Sequence, residues 1–87
     1  MIKKNKKALI TGSAGFIGSH AVASYLEDKY EVIGYDAMKI GSSLENIHRF
    51  VDNKNFQHIT GDLLDFDKLE KIVKDFLPDI ILNFAAE

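Results

Sequence analysis

The chain is short, free of cysteine and close to neutral. It has 87 residues, of which 46% are hydrophobic, with no Cys, one Pro and a formal net charge of −2. These values predict one small globular domain and exclude a disulfide scaffold and thiolate chemistry. No apolar run approaches the ~20 residues of a membrane span, and the first residues lack the apolar region and cleavage site of a secretory signal. We therefore expect a cytoplasmic protein that does not associate with membranes.

The basic residues are concentrated at the N-terminus. Four of the eleven are lysines within residues 1–7, which leaves seven basic against thirteen acidic residues in the remainder of the chain. A lysine run can bind nucleic acid or act as a localisation signal, but the acidic remainder offers no continuing basic surface. We interpret residues 1–7 as a solvated tail, residues 8–87 as the domain, and expect no nucleic-acid partner.

Predicted strands and helices alternate after this tail. Short apolar runs indicate strands at Ala8–Thr11, Glu31–Asp36, Phe56–Thr60 and Ile80–Ala86. Helices are predicted over residues 16–28, over Leu44–Val51, and from a cap at Asp65 or Asp67 to Pro78. The first helix has apolar residues at Ile17, Ala21, Val22 and Tyr25, and the last at Phe66, Leu69, Ile72, Val73 and Phe76.

This alternation predicts an α/β fold with a parallel sheet. Strands that alternate with helices form βαβ units, and nearly continuous apolar strands fit a sheet covered on both faces. Right-handed crossovers favour the strand order 3-2-1-4, which is half of a doubly wound sheet. The fourth strand, Ile80–Phe84, then lies at an edge. We expect the isolated chain to self-associate or to be only partly ordered, because that edge has no partner.

Three glycines stand three residues apart in "ALITGSAGFIGSH", where the first strand gives way to the first helix. Glycine costs up to ~1 kcal/mol in a helix relative to alanine, so its repetition there needs a reason. Gly12 would permit a tight turn, Gly15 would let the backbone approach a pyrophosphate, and Gly18 would let the helix pack closely. The helix N-terminus would attract the phosphates. A glycine-rich turn without a ligand is the alternative.

An acidic residue follows at the distance that such a site requires. Asp36 ends the second strand, eighteen residues after Gly18, near the ~20-residue spacing at which a carboxylate accepts hydrogen bonds from the adenosine ribose. An ordinary turn residue at a strand end is the alternative. Together with the glycines, Asp36 favours a dinucleotide-binding (Rossmann) half-domain that prefers NAD to NADP.

Other candidate sites receive structural interpretations. Tyr25 and Lys29 spell the Tyr-x-x-x-Lys of a catalytic pair, but they lie about two turns past the phosphate site. The acidic residues within 62–67 lack the Gly and terminal Glu of a calcium loop. The histidines have no metal-ligand spacing, and we expect no metal at His20, His48 or His58.

The motif "LITGSAGFIGSH" resembles the G-x-x-G-x-x-G fingerprint of the extended short-chain dehydrogenase/reductases, the nucleotide-sugar epimerases and dehydratases. The stretches "YDAMKIGSSLENI", "ITGDLLD" and "DIILNFAAE" resemble further segments of that family, in the same order and spacing. "AAE" and "SLENI" are similar to the dTDP-glucose 4,6-dehydratase branch. Lys39-Ile40-Gly41 departs from it, because the branch usually has Thr-Tyr-Ala there.

The resemblance implies an NAD cofactor, a nucleotide-sugar substrate, a homo-oligomer, and a reaction that combines hydride transfer with elimination of water. It places Asp62 and the Leu63 backbone beside the adenine. The full set of implied cofactor-binding residues is Gly12, Ala14, Gly15, Phe16, Ile17, Gly18, Asp36, Asp62, Leu63, Ala85 and Ala86. The family's catalytic residues lie beyond position 87, so we expect this chain alone to be inactive. An epimerase of the same family and a non-catalytic nucleotide-binding or assembly module are the alternatives.

Overall fold

A four-stranded parallel sheet forms the centre of the protein. The computed structural model describes residues 5–39 and 42–84. The sheet has the order β3-β2-β1-β4, which confirms the predicted α/β class and strand order. Its strands are β1 (Lys7–Thr11), β2 (Glu31–Asp36), β3 (Phe56–Thr60) and β4 (Ile80–Asn83). The helices are α1 (Phe16–Glu27), α2 (Leu44–His48) and α3 (Phe66–Phe76).

Two strand boundaries differ from the prediction. β1 begins at Lys7 rather than Ala8, because the Lys7 backbone N–H donates to the Asp79 carboxylate at 2.8 Å and its carbonyl accepts from the Asp79 N–H at 2.7 Å. The last residue of the lysine-rich segment is therefore part of the sheet. β4 ends at Asn83, and the Ala85 and Ala86 predicted for it lie outside the described residues.

Both ends of α3 lie where the local sequence signals predict them. Asp65 caps α3, since its carboxylate accepts from the Lys68 N–H at 3.1 Å, and Leu77 ends this helix in the left-handed conformation (φ 53°) just before Pro78.

The range predicted for α2, Leu44–Val51, was longer than the helix in the structure, which ends at His48. Beyond His48 the chain continues as tight turns, in which the Val51 N–H donates to the His48 carbonyl at 3.2 Å.

The helices cover both faces of the sheet. On one face α1 and α2 bury Ala8, Ile10, Val22, Val32, Ile47 and Phe50. On the other face α3 packs over Leu9, Ile33 and Tyr35. Phe66, which its spacing places on the apolar face of α3, is 71% exposed, and Ile17, which shares the apolar spacing of α1, is 67% exposed. Both residues lie in the first turn of their helix, where the helical spacing of apolar residues does not bring the side chains onto the sheet.

The β4 edge retains apolar surface. Ile81 aligns with Leu9 of β1, yet Ile81 is 54% exposed and Phe84 is 40% exposed. Self-association through this edge stays a prediction. None of the helices in residues 5–39 and 42–84 has the length and apolar character of a membrane span.

His58 on β3 makes the stability of the fold sensitive to pH. Its Nε2 lies 2.9 Å from the Thr60 hydroxyl, and within the described part of the chain its buried Nδ1 has no partner. Burial lowers the pKa of His58 below its ordinary value of 6.5, although the charge of Asp36 acts in the opposite direction. The unfolded chain therefore takes up the proton first, and the free energy of unfolding decreases as pH falls below about 6.5.

Urea unfolding at about pH 7.5 and pH 5.5 tests this expectation. The unsubstituted chain and a variant of the exposed His48, His48→Gln, should both lose stability at the lower pH. His58→Leu should lose less, because Leu does not titrate. An equal loss in all three proteins would contradict the assignment to His58.

Candidate functional site

The loop between β1 and α1 depends on two glycines. Gly12 has a φ of 74°, a left-handed conformation that glycine adopts without steric cost. A Cβ at Gly18 would overlap the carbonyl oxygen of Gly12 and lie 2.8 Å from its carbonyl carbon. The first turn of α1 thus approaches the loop backbone as closely as the glycine spacing predicts.

The N-terminus of α1 is open. Gly15 is its N-cap with φ −77° and ψ 169°, and no side chain of the described residues caps it. The first N–H groups of an α-helix have no acceptor within the helix, and the first turn of α1 carries no acidic residue. The side chains of Phe16 and Ile17 are largely exposed. This helix end is therefore chemically suited to an anion such as a phosphate.

Asp36 joins the glycine loop to the segment after β2. The residue is only 6% exposed. Oδ2 accepts from the Ala14 N–H at 2.9 Å, while Oδ1 accepts from the Met38 N–H at 2.7 Å and the Ser42 hydroxyl at 2.8 Å. A carboxylate offers about four acceptor positions. The described residues 5–39 and 42–84 occupy three of them, which leaves one position, on Oδ2, for a hydroxyl of a ligand.

The carbonyl group of Ala14 is held by the start of α2. It accepts from the Ser43 N–H at 3.0 Å and from the Asn46 side-chain amide at 2.7 Å. The residues predicted for the site from the sequence did not include Ser42, Ser43 or Asn46. Ser43 gave a local signal, because it caps α2 by accepting from the Glu45 N–H at 3.1 Å. The contact of Asn46 gave none, because it joins residues 32 positions apart.

Asp62 follows β3 at the same edge of the sheet. Its carboxylate accepts from the Leu64 N–H at 2.9 Å and pairs with Lys39 Nζ at 3.1 Å. The Leu64 hydrogen bond and then the Lys39 contact lower the pKa of Asp62. The Asp62 carbonyl accepts from the Tyr35 hydroxyl at 2.7 Å. Burial first, and then the nearby carboxylates Asp65 and Asp62, raise the pKa of Tyr35, so this phenol stays protonated and structural.

Most of the sequence-predicted residues gather at the carboxyl ends of the strands. Parallel strands present these ends at one edge of the sheet, where α/β proteins bind ligands. The glycine loop and Asp36 are in direct contact there, and Asp62 with Leu63 follows the neighbouring strand. Ala85 and Ala86 lie outside the described residues.

The remaining candidates lie elsewhere. Tyr25 packs edge-to-face on Tyr30 at 4.8 Å, and Lys29 has a left-handed φ of 68° just beyond the C-terminal end of α1. This Tyr–Lys pair is thus remote from the glycine loop. Within residues 5–39 and 42–84, no cluster of three His, Cys, Asp or Glu side chains could hold a metal ion. A groove of about 480 Å³ lies between α3 and strands β2 and β3. It is lined partly by Ile33 and Phe76, and it includes no residue of the glycine loop.

Comparisons with known proteins agree with this geometry. The sequence profile of the family described as GDP-mannose 4,6 dehydratase matches residues 9–87. Human dTDP-D-glucose 4,6-dehydratase is 36% identical over 84 residues, which is 94% of this chain and 24% of the human protein. UDP-glucose 4-epimerase of Mycolicibacterium smegmatis is 36% identical over 81 residues, with coverages of 93% and 25%. The chain spans about a quarter of the length of these relatives.

A solved structure matches the fold closely. The crystal structure of dTDP-glucose 4,6-dehydratase from Bacillus anthracis in complex with NAD superposes with a TM-score of 0.89 at 34% identity, over 94% of this chain and 27% of that one. This similarity confirms the Rossmann class of the sheet. Since the family profile covers almost the entire chain, the protein belongs to the family described as GDP-mannose 4,6 dehydratase, within the extended short-chain dehydrogenase/reductases.

Proposed function

We propose that the chain forms the NAD-binding part of a nucleotide-sugar 4,6-dehydratase that acts on dTDP-glucose. The observation that carries this proposal is the open N-terminus of α1 beside the glycine loop, with the Asp36 carboxylate bonded to that loop. The Bacillus anthracis neighbour bears NAD and the human relative is a dTDP-D-glucose 4,6-dehydratase, which supports both the cofactor and the substrate class.

A UDP-sugar 4-epimerase is the second candidate. The Mycolicibacterium smegmatis UDP-glucose 4-epimerase is as identical to this chain, at 36%, as the human dehydratase. The two candidates share the proposed cofactor site. They differ in the chemistry that follows hydride removal from the sugar.

The described residues fit an NAD molecule. The open first turn of α1 would face the pyrophosphate with Phe16 and Ile17 beside it, and the remaining acceptor position of Asp36 suits a ribose hydroxyl. Asp62 and Leu63 would border the adenine. The chemistry that NAD supplies when bound is reversible acceptance of a hydride from the sugar. The role of this chain is to bind and orient the cofactor for that transfer.

We assign catalysis of the later steps to the remainder of a longer protein. Within the described residues, Tyr25 and Lys29 are remote from the glycine loop, so residues 1–87 alone should bind NAD without converting dTDP-glucose. The cofactor contacts of Ala85 and Ala86, a cytoplasmic location and a homo-oligomeric state stay predictions.

We expect the chain to bind NAD+ at least tenfold more tightly than NADP+. A 2′-phosphate beside the Asp36 carboxylate would bring like charges together, at a cost of about 4 kcal/mol per unit charge at 4 Å before screening, for an effective dielectric constant of 20. The nearby cation Lys39 is already paired with Asp62 at 3.1 Å. Calorimetric titration with both cofactors measures the ratio of the dissociation constants.

Two variants control this titration. Asp36→Asn removes the charge and should lower the preference for NAD+. Glu45→Gln removes an exposed carboxylate from α2 and should leave the ratio unchanged. NADP+ binding as tight as NAD+ binding in the unsubstituted chain would contradict the proposed role of Asp36.

A further inference from the structure

The peptide bond between Ala14 and Gly15 is fixed by contacts with α2. Ala14 is fully buried. Its carbonyl oxygen accepts from the Asn46 amide at 2.7 Å and from the Ser43 N–H at 3.0 Å. On the preceding peptide unit, the Ala14 N–H donates to Asp36 at 2.9 Å. The middle of the glycine loop is thus hydrogen-bonded on one side to the end of β2 and on the other to the α2 segment.

These contacts determine which way the peptide faces. In a trans peptide the C=O and N–H point in opposite directions. The Ala14 carbonyl points to α2, and the Gly15 N–H donates to the Gly12 carbonyl at 3.2 Å. After a flip of this peptide, two carbonyl oxygens would face each other and the bonds from Asn46 and Ser43 would be lost.

The glycine itself does not resist such a flip. Gly15 has a φ of −77°, but glycine adopts positive φ about as readily as negative φ. The residue that would let a phosphate approach the backbone therefore also leaves the peptide free to rotate. Part of the resistance lies within the loop, in the hydrogen bond from the Gly15 N–H to the Gly12 carbonyl at 3.2 Å. The rest comes from the α2 segment, and the Asn46 amide makes the shorter of its two bonds to the Ala14 carbonyl.

Helix propensity does not explain why residue 46 is an asparagine. Asn has low intrinsic helix propensity, and yet it is the third residue of the five-residue helix α2. Its side chain is half-buried and donates to Ala14. The structure thus gives Asn46 a tertiary contact that a better helix former, such as alanine, could not make.

We propose that Asn46 is a positioning residue, which keeps the glycine loop in the conformation that binds the phosphates of the cofactor. This inference rests on the proposed NAD site. Asn46 acts through the Ala14 carbonyl rather than on the ligand. Replacement of Asn46 should therefore weaken the binding of ligands that carry the pyrophosphate and leave the binding of ligands that lack it unchanged.

Titrations of the full chain with NAD+ and with adenosine test this role. Asn46→Ala should weaken NAD+ binding roughly five- to tenfold, the amount expected for one lost hydrogen bond, and should leave adenosine binding unchanged. Asn46→Asp keeps the size of the side chain but cannot donate when ionised, and its charge would repel the carbonyl. The aspartate variant should bind NAD+ at least as weakly as the alanine variant. Glu45→Ala, which alters the exposed neighbour on α2, serves as the control.

Amide NMR relaxation of the ligand-free chain provides a second measurement. In Asn46→Ala, microsecond-to-millisecond exchange should appear at Gly15 and Phe16, whereas Glu45→Ala should leave it unchanged. Relaxation detects loop motion directly, so it does not depend on cofactor binding.

Three results would overturn the inference. Unchanged NAD+ affinity in both Asn46 variants, with normal binding by the unsubstituted chain, would refute the role of Asn46 and leave the proposed function standing. Equal weakening of NAD+ and adenosine would show that Asn46 serves only the local structure. Failure of the unsubstituted chain to bind NAD+ at all would reject the proposed function together with the inference.

Discussion

Replacing Gly18 with alanine is expected to lower the free energy of unfolding by about 3 kcal/mol and to eliminate NAD+ binding. The added Cβ would overlap the Gly12 carbonyl oxygen, and a backbone oxygen cannot move aside as a flexible side chain can. Alanine would otherwise gain up to about 1 kcal/mol of helix propensity. Any net decrease in the free energy of unfolding can therefore be attributed to the close approach of α1 to the loop. Urea unfolding and calorimetric titration measure the two effects.

Gly15→Ala is the matched control for this substitution. Gly15 has a φ of −77°, which any residue adopts, so the variant should lose no more than about 1 kcal/mol of stability as an alanine N-cap. It should still weaken NAD+ binding, because the Cβ would lie where the cofactor is proposed to approach. A Gly18→Ala chain with unchanged stability and affinity would show that α1 can shift away from the loop without consequence.

Replacing Asp36 with alanine is expected to cost about 2–4 kcal/mol of stability and most of the NAD+ affinity. The substitution leaves the N–H groups of Ala14 and Met38 without their acceptor, and an unsatisfied buried donor costs about 1–3 kcal/mol. It also removes the proposed partner of the ribose. Asp36→Asn retains one carbonyl oxygen and should fall between the alanine variant and the unsubstituted chain.

Asp52→Ala controls for the removal of a carboxylate, since Asp52 is an exposed turn residue. Its unfolding curve should match that of the unsubstituted chain. If Asp36→Ala were as stable as Asp52→Ala, the three hydrogen bonds of Asp36 would have no energetic weight, and the proposed link between the glycine loop and the segment after β2 would be wrong.

The fold was predictable because its determinants are local. Apolar runs bounded by glycine or acidic residues predict the positions of the strands, and the handedness of βαβ crossovers predicts their order in the sheet. Asp65 and Pro78 marked the ends of α3 in the sequence. The end of α2 was not predictable in this way, because no glycine or proline stands between His48 and Val51 and the helix gives way to turns.

The site was predictable only in part. The glycine spacing and Asp36 carry a signal in the sequence itself, since each residue has a backbone or charge requirement that few others meet. The contact of Asn46 with Ala14 depends on the tertiary approach of α2 to the loop. The exposure of Ile17 depends equally on what covers the first turn of α1. Neither property can be read from periodicity.

The central claim is that the glycine loop and Asp36 form the NAD site, and an amide chemical-shift titration with NAD+ tests it most directly. We predict saturable shifts confined to residues 12–18, 36–46, 61–64 and 85–86. The groove beneath α3, lined in part by Lys71 and Phe76, should show none. Shifts centred on that groove, or no saturable shift at the glycine loop, would contradict the account.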